Sequence, residues 1–285
     1  MIQPFQQLRC PLNCDSALVL NNKTWHCHNG HTFDVAKQGY VNLLPVQNKR
    51  SKDPGDSKAM VQARAEFLAN GFYHPLAAEI SRLVLPHKPH TLLDAGCGEG
   101  YYLRHLLQAA NENGQSMQVA ALDISKWAVQ AAARSEKRAT WLVASNSHIP
   151  IVDNSIDTLL CVFGFPVEAE FARVLTANGR LIMVDPAEHH LSELKQVIYD
   201  DVQAKPYQLP IKGVNWQLAS EQRVTFTVCL PSNQAVRNLL VMTPHLYRAS
   251  SAGRARAEAL ETLTVTVDVW VREFVQASGF VGERA

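Results

Sequence analysis

The spacing of apolar positions changes along the chain and divides it into three parts. In the first part, apolar residues come in short groups such as Leu18–Leu20, separated by turn signals such as Asn29-Gly30. Residues 47–58, QNKRSKDPGDSK, are rich in charge and centre on a Pro-Gly pair, which is typical of a loop. From Ala59 onward, apolar residues recur every three or four positions, as in a helix. The pattern predicts a small module over residues 1–40, a basic linker over 41–58 and a main domain over 59–285.

Strands and helices are predicted to alternate through the main domain. Two late strands, Val224–Val228 and Leu263–Val271, enclose a helical stretch at 232–244 and predict an antiparallel pair at the edge of the sheet. Before them, the alternation predicts an α/β fold with a doubly wound, Rossmann-like parallel sheet. The predicted strands of that sheet are Thr91–Asp94, Val119–Asp123, Thr140–Val143, Asp157–Phe163 and Arg180–Asp185. The predicted helices between them are Tyr101–Ala110, Ser125–Ser135 and Val167–Leu175.

The segment LLDAGCGEG, residues 92–100, places a glycine loop directly after the first strand of the main domain. In an open parallel sheet, ligands bind beyond the carboxyl ends of the strands, where glycine lets the backbone approach them closely. A dinucleotide loop needs the pattern G-x-G-x-x-G, whereas Tyr101 stands here in place of its third glycine. The next strand ends in Asp123, which is placed to accept hydrogen bonds from ribose hydroxyls. These features predict an adenosine-containing cofactor and disfavour a nicotinamide enzyme.

This combination resembles the class I methyltransferases, which use S-adenosylmethionine. The resemblance implies that Asp123 binds the ribose of the cofactor and that the segment SNSHIP, residues 145–150, contacts the adenine. The positions that it assigns to the methionine half are Asp94, Gly96, Gly98 and Glu99.

Four residues near the start of the chain have the spacing of a zinc site. Two close pairs separated by a short hairpin suit tetrahedral Zn²⁺, and thiolates favour zinc over Mg²⁺ or Ca²⁺. His26 and His28 are alternatives for the fourth ligand, although their one-residue gap to Cys27 would strain the chelate. Free thiols are the other alternative, but the segment has too few apolar residues to fold unaided. We therefore expect a structural zinc ion, with no open coordination position. The expected ligands are Cys10, Cys14, Cys27 and His31.

The stretch from the zinc cluster to the cofactor loop resembles a more specific family, the bacterial 23S ribosomal RNA guanine-N1 methyltransferases. The resemblance extends from Cys10 to about Lys195, and its motifs are GYVNLLPVQ, DPGDS, Tyr73-His74-Pro75-Leu76 and LLDAGCGEGYY. It implies methylation of N1 of one guanine in a hairpin of domain II of 23S rRNA. One departure is the C-x3-C spacing, where the family usually has C-x2-C, which adds Asn13 to the first turn. The cofactor contacts that the family implies are Tyr73, Gly98, Glu99 and His190.

Methyl transfer to N1 of guanine needs a group that takes up the N1 proton. Asp185, Glu188 and His190 follow the fifth strand at the functional edge of the sheet. The sequence does not single out one of them, and we carry Asp185 and His190 forward as the candidates. Taken without the family, Tyr73 is also explained as a packing residue, and His190 as an exposed residue at a helix start.

Contacts to RNA are expected from aromatic and cationic side chains. Phe163 and Phe165, after the fourth strand, could stack on a splayed base, with core packing as the alternative that we favour for Phe163. Cations in two stretches of the chain could contact phosphates, with a solvated charged surface as the alternative. They are Lys49, Arg50, Lys52 and Lys58 in the linker, and Arg248, Arg254 and Arg256 near the other end.

Composition limits the remaining classes of function. A formal net charge of +1 excludes a protein coated in positive charge, so that RNA contacts must come from local patches. The sequence has no run of about 20 apolar residues, so we expect no membrane span and a cytoplasmic protein. The six cysteines are too sparse for a disulfide scaffold. The oligomeric state is open, a homodimer being one alternative. Two rival functions are methylation of a small molecule and non-catalytic RNA binding.

Overall fold

A computed structural model describes residues 1–12, 14, 16–48, 51, 53–202 and 207–277 of the chain. Its strands are β1 (Ile2–Pro4), β2 (Leu18–Asn21), β3 (Thr24–Cys27), β4 (Thr32–Asp34), β5 (Tyr40–Asn42), β6 (Thr91–Ala95), β7 (Met117–Asp123), β8 (Thr140–Val143), β9 (Ile156–Val162), β10 (Leu175–Pro186), β11 (Trp216–Leu230) and β12 (Leu263–Gln276). Its helices are α1 (Lys58–Ala69), α2 (His74–Val84), α3 (Tyr101–Glu112), α4 (Lys126–Ser135), α5 (Glu168–Val174), α6 (Ser192–Ile198), α7 (Asn233–Val241), α8 (His245–Arg248) and α9 (Ser251–Glu258).

One large sheet organises the molecule. Within the described residues it has nine strands, in the order β11-β12-β10-β9-β6-β7-β8-β5, and β1 pairs with β7 beside this path. All neighbouring pairs from β10 to β5 are parallel, whereas β12 runs antiparallel to both β10 and β11. The predicted doubly wound sheet with an antiparallel pair at its edge is therefore confirmed.

The strand order places a crevice at the end of β6. The chain passes from β6 to β7 on one side and later returns to β9 on the other, so the strand order reverses at β6. Open α/β sheets bind their ligands at such a switch point, beyond the carboxyl ends of the strands. The glycine loop predicted from the sequence begins there.

Both ends of the predicted N-terminal module join the large sheet. Ile2–Pro4 pairs with Met117–Val119 of β7, and Tyr40–Asn42 pairs with Trp141–Val143 of β8. Between them, β2, β3 and β4 form a separate antiparallel sheet. The limits 1–40, 41–58 and 59–285 stay a proposal about folding units, and strand pairing crosses the first of them.

Apolar side chains pack on both faces of the large sheet. One face is covered by side chains from α1 to α4 and from α6, α7 and α9, and the other by α5 together with the small N-terminal sheet. Ser125 caps α4 as predicted, because its Oγ accepts a hydrogen bond from the Ala128 amide at 3.3 Å. Among the described helices, none has the length and apolar character that crossing a membrane requires.

Candidate functional site

Two tight loops bring the zinc-ligand residues together. Cys27 ends β3, and its amide donates a hydrogen bond to the His31 carbonyl oxygen at 3.0 Å, which folds His31 back beside it. The Cys10 amide donates to the Ser16 carbonyl oxygen at 2.8 Å and closes a loop around Cys14. Backbone hydrogen bonds thus fold one pair into a loop before the small sheet and the other into a turn after β3.

The distances within this cluster suit a tetrahedral metal ion. One ligand atom from each of Cys10, Cys14, Cys27 and His31 lies within 4.8 Å of all the others. The Sγ atoms of Cys14 and Cys27 are 3.7 Å apart, and His31 Nδ1 is 3.2 Å from Cys27 Sγ. A tetrahedral zinc ion with Zn–S bonds of about 2.3 Å holds its sulfurs about 3.8 Å apart. The thiolate-rich donor set and its spacing therefore fit structural zinc.

His31, rather than His26 or His28, completes this cluster. The latter two flank Cys27, and in the described residues neither contributes an atom to the group. Asn13, the extra residue of the first pair, lies outside the described residues.

The glycine loop after β6 is fastened to the end of β7. The amides of Gly96 and Cys97 both donate to the Leu122 carbonyl oxygen, at 2.8 and 2.9 Å. The Gly98 amide donates to Asp123 Oδ2 at 3.0 Å. The predicted ribose residue is thus part of the framework of the loop.

Glycine is required in this loop for two different reasons. Gly96 and Gly100 have φ angles of +96° and +82°, which strain other residues. A Cβ on Gly100 would also lie 2.8 Å from Trp141 Cη2, whereas a Cβ on Gly96 would have its nearest neighbour, Gly164 Cα, at 3.8 Å. The loop is therefore packed tightly on the helix side and leaves room at Gly96.

Three acidic residues surround the loop, two of them buried and Asp123 half-buried. Asp94 and Glu99 are only 2% and 4% exposed, and among the described residues Asp94 Oδ1 has no hydrogen-bond partner. Burial, reinforced by the charges of Asp123 and Glu99, raises the pKa of Asp94 to about 8. Burial also raises the pKa values of Glu99 and Asp123. An open carboxylate in such a place favours a cationic hydrogen-bond donor, and S-adenosylmethionine carries an ammonium group beside its sulfonium.

Tyr73 and His190, far apart in the sequence, meet around Phe163. The Phe163 ring centroid is 6.4 Å from that of Tyr73 and 5.7 Å from that of His190. Tyr73 is 2% exposed and His190 8% exposed, so His190 is not the exposed helix-start residue that the sequence alone allowed. Phe163 has φ of +53°, which is uncommon for a bulky residue and typical of functional sites.

The His190 ring is electrically neutral. Burial is the main cause that lowers its pKa to about 3, and the charge of Lys195 acts in the same direction. The Asp268 amide donates a hydrogen bond to His190 Nδ1 at 3.3 Å, so Nε2 carries the hydrogen in the neutral ring. His190 can therefore donate a hydrogen bond from Nε2.

Asp185, near the end of β10, and Glu188, just beyond it, differ in their surroundings. Asp185 Oδ2 lies 3.3 Å from Arg272 Nη1, and burial raises the pKa of Asp185 although Arg272 opposes the shift. Glu188 is half exposed and lies beside His189, with 3.8 Å between Oε2 and Nε2. Of these two, it is Asp185 that combines partial burial with a position at the carboxyl end of a sheet strand.

The predicted adenine segment, residues 145–150, forms a compact turn. Ser145 and Ser147 share a hydrogen bond between their hydroxyls at 2.8 Å. Asn146 Nδ2 donates to the Phe165 carbonyl oxygen at 3.0 Å and joins this turn to the loop after β9. The Phe165 side chain is 87% exposed, whereas Phe163 packs against the core.

Arg64 is a residue of this site that sequence reasoning missed. It lies on α1, and a Cβ on Gly98 would be 3.6 Å from its Nη1. Its Nη1 is 2.6 Å from Asp56 Oδ2, and Asp56 belongs to the DPGDS motif. Ser125 Oγ donates to the Asp56 carbonyl oxygen at 2.7 Å, which fastens this motif to the start of α4. The motif was the available signal, because it precedes the helix that carries Arg64.

The expected phosphate-binding cations are only partly described. Lys49, Arg50 and Lys52 lie outside the described residues. Lys58 begins α1 and is exposed. Arg256 Nη2 lies 2.9 Å from Asp200 Oδ1, so this cation is already engaged by a carboxylate.

Comparison with known proteins locates both parts of the site in recognised families. A family model described as RlmA, N-terminal matches residues 8–52, and one described as Methyltransferase domain matches residues 92–179. The first match contains all four zinc-ligand residues, and the second begins at Leu92, immediately before the glycine loop.

Two curated relatives share most of the chain. One, from Bacillus subtilis (strain 168) and provisionally named as a 23S rRNA (guanine-N(1)-)-methyltransferase, is 32% identical over 93% of this chain and 95% of its own length. The other, 23S rRNA (guanine(748)-N(1))-methyltransferase of Streptomyces fradiae, is 38% identical over 66% of each chain.

A solved structure of a protein provisionally described as a methyltransferase, from Bacillus halodurans C-125, is 13% identical and has a TM-score of 0.46. The match covers 70% of this chain and 97% of that one. The match to the Bacillus subtilis relative, which covers more than nine-tenths of both chains, decides the family. The chain belongs to the family of 23S rRNA (guanine-N1)-methyltransferases, with a zinc ribbon joined to a methyltransferase domain that depends on S-adenosylmethionine.

Proposed function

We propose that this protein transfers a methyl group from S-adenosylmethionine to N1 of a guanine in a hairpin of domain II of 23S rRNA. One observation carries the proposal: a Cys₃His zinc cluster and a glycine loop with buried carboxylates occur in one chain. The two curated relatives are named for this reaction, and the Streptomyces fradiae protein is named for guanine 748.

For the cofactor we propose a division of roles along the carboxyl edge of the sheet. The open Asp94 carboxylate accepts hydrogen bonds from the ammonium group, and the Asp123 carboxylate binds the ribose. Tyr73 and His190 hold the cofactor from the side of Phe163, with His190 donating from Nε2. The backbone positions that line the methionine half in this proposal are Gly96, Gly98 and Glu99.

The chemical step needs orientation and one proton transfer. When bound, S-adenosylmethionine supplies an electrophilic methyl group, so the protein mainly has to hold N1 in line with it. We propose that Asp185 accepts the N1 proton, because burial raises its pKa and makes it a stronger base than an exposed carboxylate. His190 is the weaker candidate, since its Nδ1 is already engaged by the Asp268 amide.

We assign the zinc ribbon, the linker cations and exposed Phe165 to RNA binding. In this proposal residues 1–40, 41–58 and 59–285 act as ribbon, basic linker and catalytic domain. An rRNA substrate implies that the protein works in the cytoplasm. For the assembly we propose a homodimer, which sedimentation velocity tests directly.

The deciding experiment is methylation of purified RNA. The zinc-loaded protein is incubated with S-adenosylmethionine and transcripts of domain II hairpins, and modified nucleosides are mapped by mass spectrometry. We expect N1-methylguanosine at a single position, with RNA affinity falling steeply as salt increases. Transfer to a small molecule without RNA would contradict the proposal. Saturable RNA binding without cofactor binding would identify a non-catalytic RNA-binding protein instead.

A further inference from the structure

Arg64 lies directly on the glycine loop. A Cβ on Gly98 would be 3.6 Å from Arg64 Nη1 and 4.0 Å from its Cδ, so the side chain runs along the loop. The other end of the guanidinium donates to the Met242 carbonyl oxygen through Nη2 at 3.3 Å. The Arg64 side chain is 21% exposed, which leaves part of it accessible.

The acidic residues around the loop provide no partner for one charged group of the cofactor. The methionine half of S-adenosylmethionine carries a carboxylate as well as an ammonium group. Asp94 and Glu99 suit the ammonium group, but these two buried acids, with Asp123 nearby, would repel the carboxylate unless a cation lies beside them. Leaving that carboxylate desolvated and unpaired would weaken binding strongly.

Two described cations reach these acids, and they lie against different glycines of the loop. Both Arg64 and Arg104 act electrostatically on Glu99, and Arg64 also acts on Asp123. Arg104 is bound on the α4 side, where its Nη1 donates to the Glu99 carbonyl oxygen and, at 3.2 Å, to Ser135 Oγ. Arg64 lies against Gly98 in the middle of the loop, whereas a Cβ on Gly100, at the start of α3, would be 3.3 Å from Arg104 Nη1.

We propose that Arg64 binds the carboxylate of the methionine half of S-adenosylmethionine. A guanidinium can form two parallel hydrogen bonds to a carboxylate, which fixes direction as well as distance. Asp56 orients the guanidinium through the 2.6 Å contact to Nη1. The assignment rests on the proposed function only in that S-adenosylmethionine occupies this loop.

The assignment also gives the DPGDS motif a purpose. Asp56 is fastened to Ser125 through its carbonyl oxygen and to Arg64 through its carboxylate. The segment that leaves the zinc ribbon therefore determines where the cofactor's cation partner lies, although it contributes no ligand itself.

Calorimetric titration with two ligands tests the assignment without using enzyme activity. The zinc-loaded full chain is titrated with S-adenosylmethionine and with its decarboxylated analogue, which lacks only the carboxylate. We expect the wild-type protein to prefer the complete cofactor on the order of 10- to 100-fold. In Arg64→Gln the preference should fall to about threefold or less, while the analogue binds as in the wild type. Arg64→Lys should restore part of the preference, since it keeps the charge but not the two-bond geometry.

Arg104→Gln is the matched control, because it removes the other cation beside Glu99 and should keep the wild-type preference. If Arg64→Gln retains the full preference, or weakens both ligands equally, Arg64 does not bind the carboxylate and the assignment fails. If Arg64→Gln does not fold, as judged by its thermal transition, Arg64→Lys and Asp56→Asn replace it. For each of them the ratio of the affinities for S-adenosylmethionine and its decarboxylated analogue should be lower than in the wild type, and an unchanged ratio would contradict the assignment. A wild-type protein that binds neither ligand would contradict the proposed function itself, which is a separate outcome.

Discussion

The zinc ribbon and the carboxyl edge of the sheet both hold polar ligand atoms at fixed positions, but with different support. In β2 of the ribbon, Val19 is 67% and Leu20 41% exposed, so little of the strand is buried. In β6, which leads into the glycine loop, Leu92 and Leu93 are fully buried. A ribbon with so little core depends on its ligand cluster, whereas the sheet edge is held by the core beneath it.

Because of this difference, the thiols of the ribbon and the carboxylates of the sheet edge affect folding stability in opposite ways. In the ribbon, the thiols supply the stabilisation once they share a metal ion. At the sheet edge, the core can keep Asp94 buried with an open oxygen, which costs stability in the absence of ligand. The ribbon is therefore stabilised by binding zinc. The sheet edge is preorganised to bind the cofactor, and this lowers the folding stability of the cofactor-free protein.

Loss of zinc should produce the largest effect, confined to the ribbon. Cys27→Ser should remove a metal ion that contributes roughly 10 kcal/mol of binding free energy. We expect metal analysis to show no bound zinc, and hydrogen exchange to show unprotected amides in β2 to β4. Affinity for S-adenosylmethionine should stay within about threefold, because the sheet edge has its own core.

Cys229→Ser is the control for that variant, since Cys229 is an exposed thiol on β11 outside the cluster. Collapse of cofactor affinity in Cys27→Ser alone would mean that the two regions are not separately supported.

The next largest effect is expected at the sheet edge and concerns catalysis. Asp185→Asn should lower kcat by about 10²- to 10⁴-fold, because the amide cannot accept the N1 proton. Cofactor affinity, measured by calorimetry, should change little. Glu188→Gln, at a half-exposed carboxylate nearby, should leave kcat close to the wild-type value. Equal turnover in wild type and Asp185→Asn would remove Asp185 as the base.

Substitution of a loop glycine should show how much packing against the core adds to the effect of a positive φ angle on the free energy of unfolding. Gly100→Ala adds both a positive-φ strain and a 2.8 Å clash with Trp141, so we expect a loss of about 2–5 kcal/mol in unfolding free energy. Gly71→Ala has a similar φ, +76°, but meets no atom within 4 Å, so a loss of about 1 kcal/mol is expected. Urea denaturation of both variants measures the difference, and similar losses would show that packing against Trp141 does not matter.

The smallest effect, about tenfold in cofactor affinity, is expected from Asp94→Asn. The pKa of Asp94, raised to about 8, lies above its ordinary value of 3.8. Between these values the folded protein holds a proton that the unfolded chain has released, so the stability of the cofactor-free protein should fall as pH rises.

Asp94→Asn should flatten that part of the stability profile, as measured by urea denaturation at several pH values. Calorimetry in two buffers of different ionisation heat should show proton release when the wild type binds cofactor at pH 7, and no such release in the variant. Proton release of equal size in both proteins would assign the shift to another group.

Local sequence patterns were sufficient for the central elements and for the zinc ligands. The apolar run Thr91–Asp94 predicted β6, which ends one residue later at Ala95, and Ser125 predicted the cap of α4. Short-range patterns fail where pairing provides the stability. β11 extends over Trp216–Leu230, well beyond the predicted Val224–Val228, because its polar residues are ordered by backbone hydrogen bonds to β12.

The strands β1 and β5 were missed for the same reason. Each has only three residues and gains its conformation from β7 or β8, more than 90 residues away in the chain. Arg64 was missed because the residue has no distinctive pattern of its own, and the DPGDS motif before its helix was the available signal. Its importance comes from Gly98, which lies 34 positions later.

The sequence by itself determined which chemistry is available: three thiols and an imidazole at metal-ligand spacing, and a glycine loop between two acidic strand ends. Local spacing is enough for these features, because turns and strand ends bring neighbouring residues together. Only the tertiary structure decided the protonation states and the arrangement of charges at the site. Burial raised the pKa of Asp94 and lowered that of His190, and the packing of α1 placed Arg64 against Gly98. Desolvation and contacts between charges depend on residues that meet only after folding.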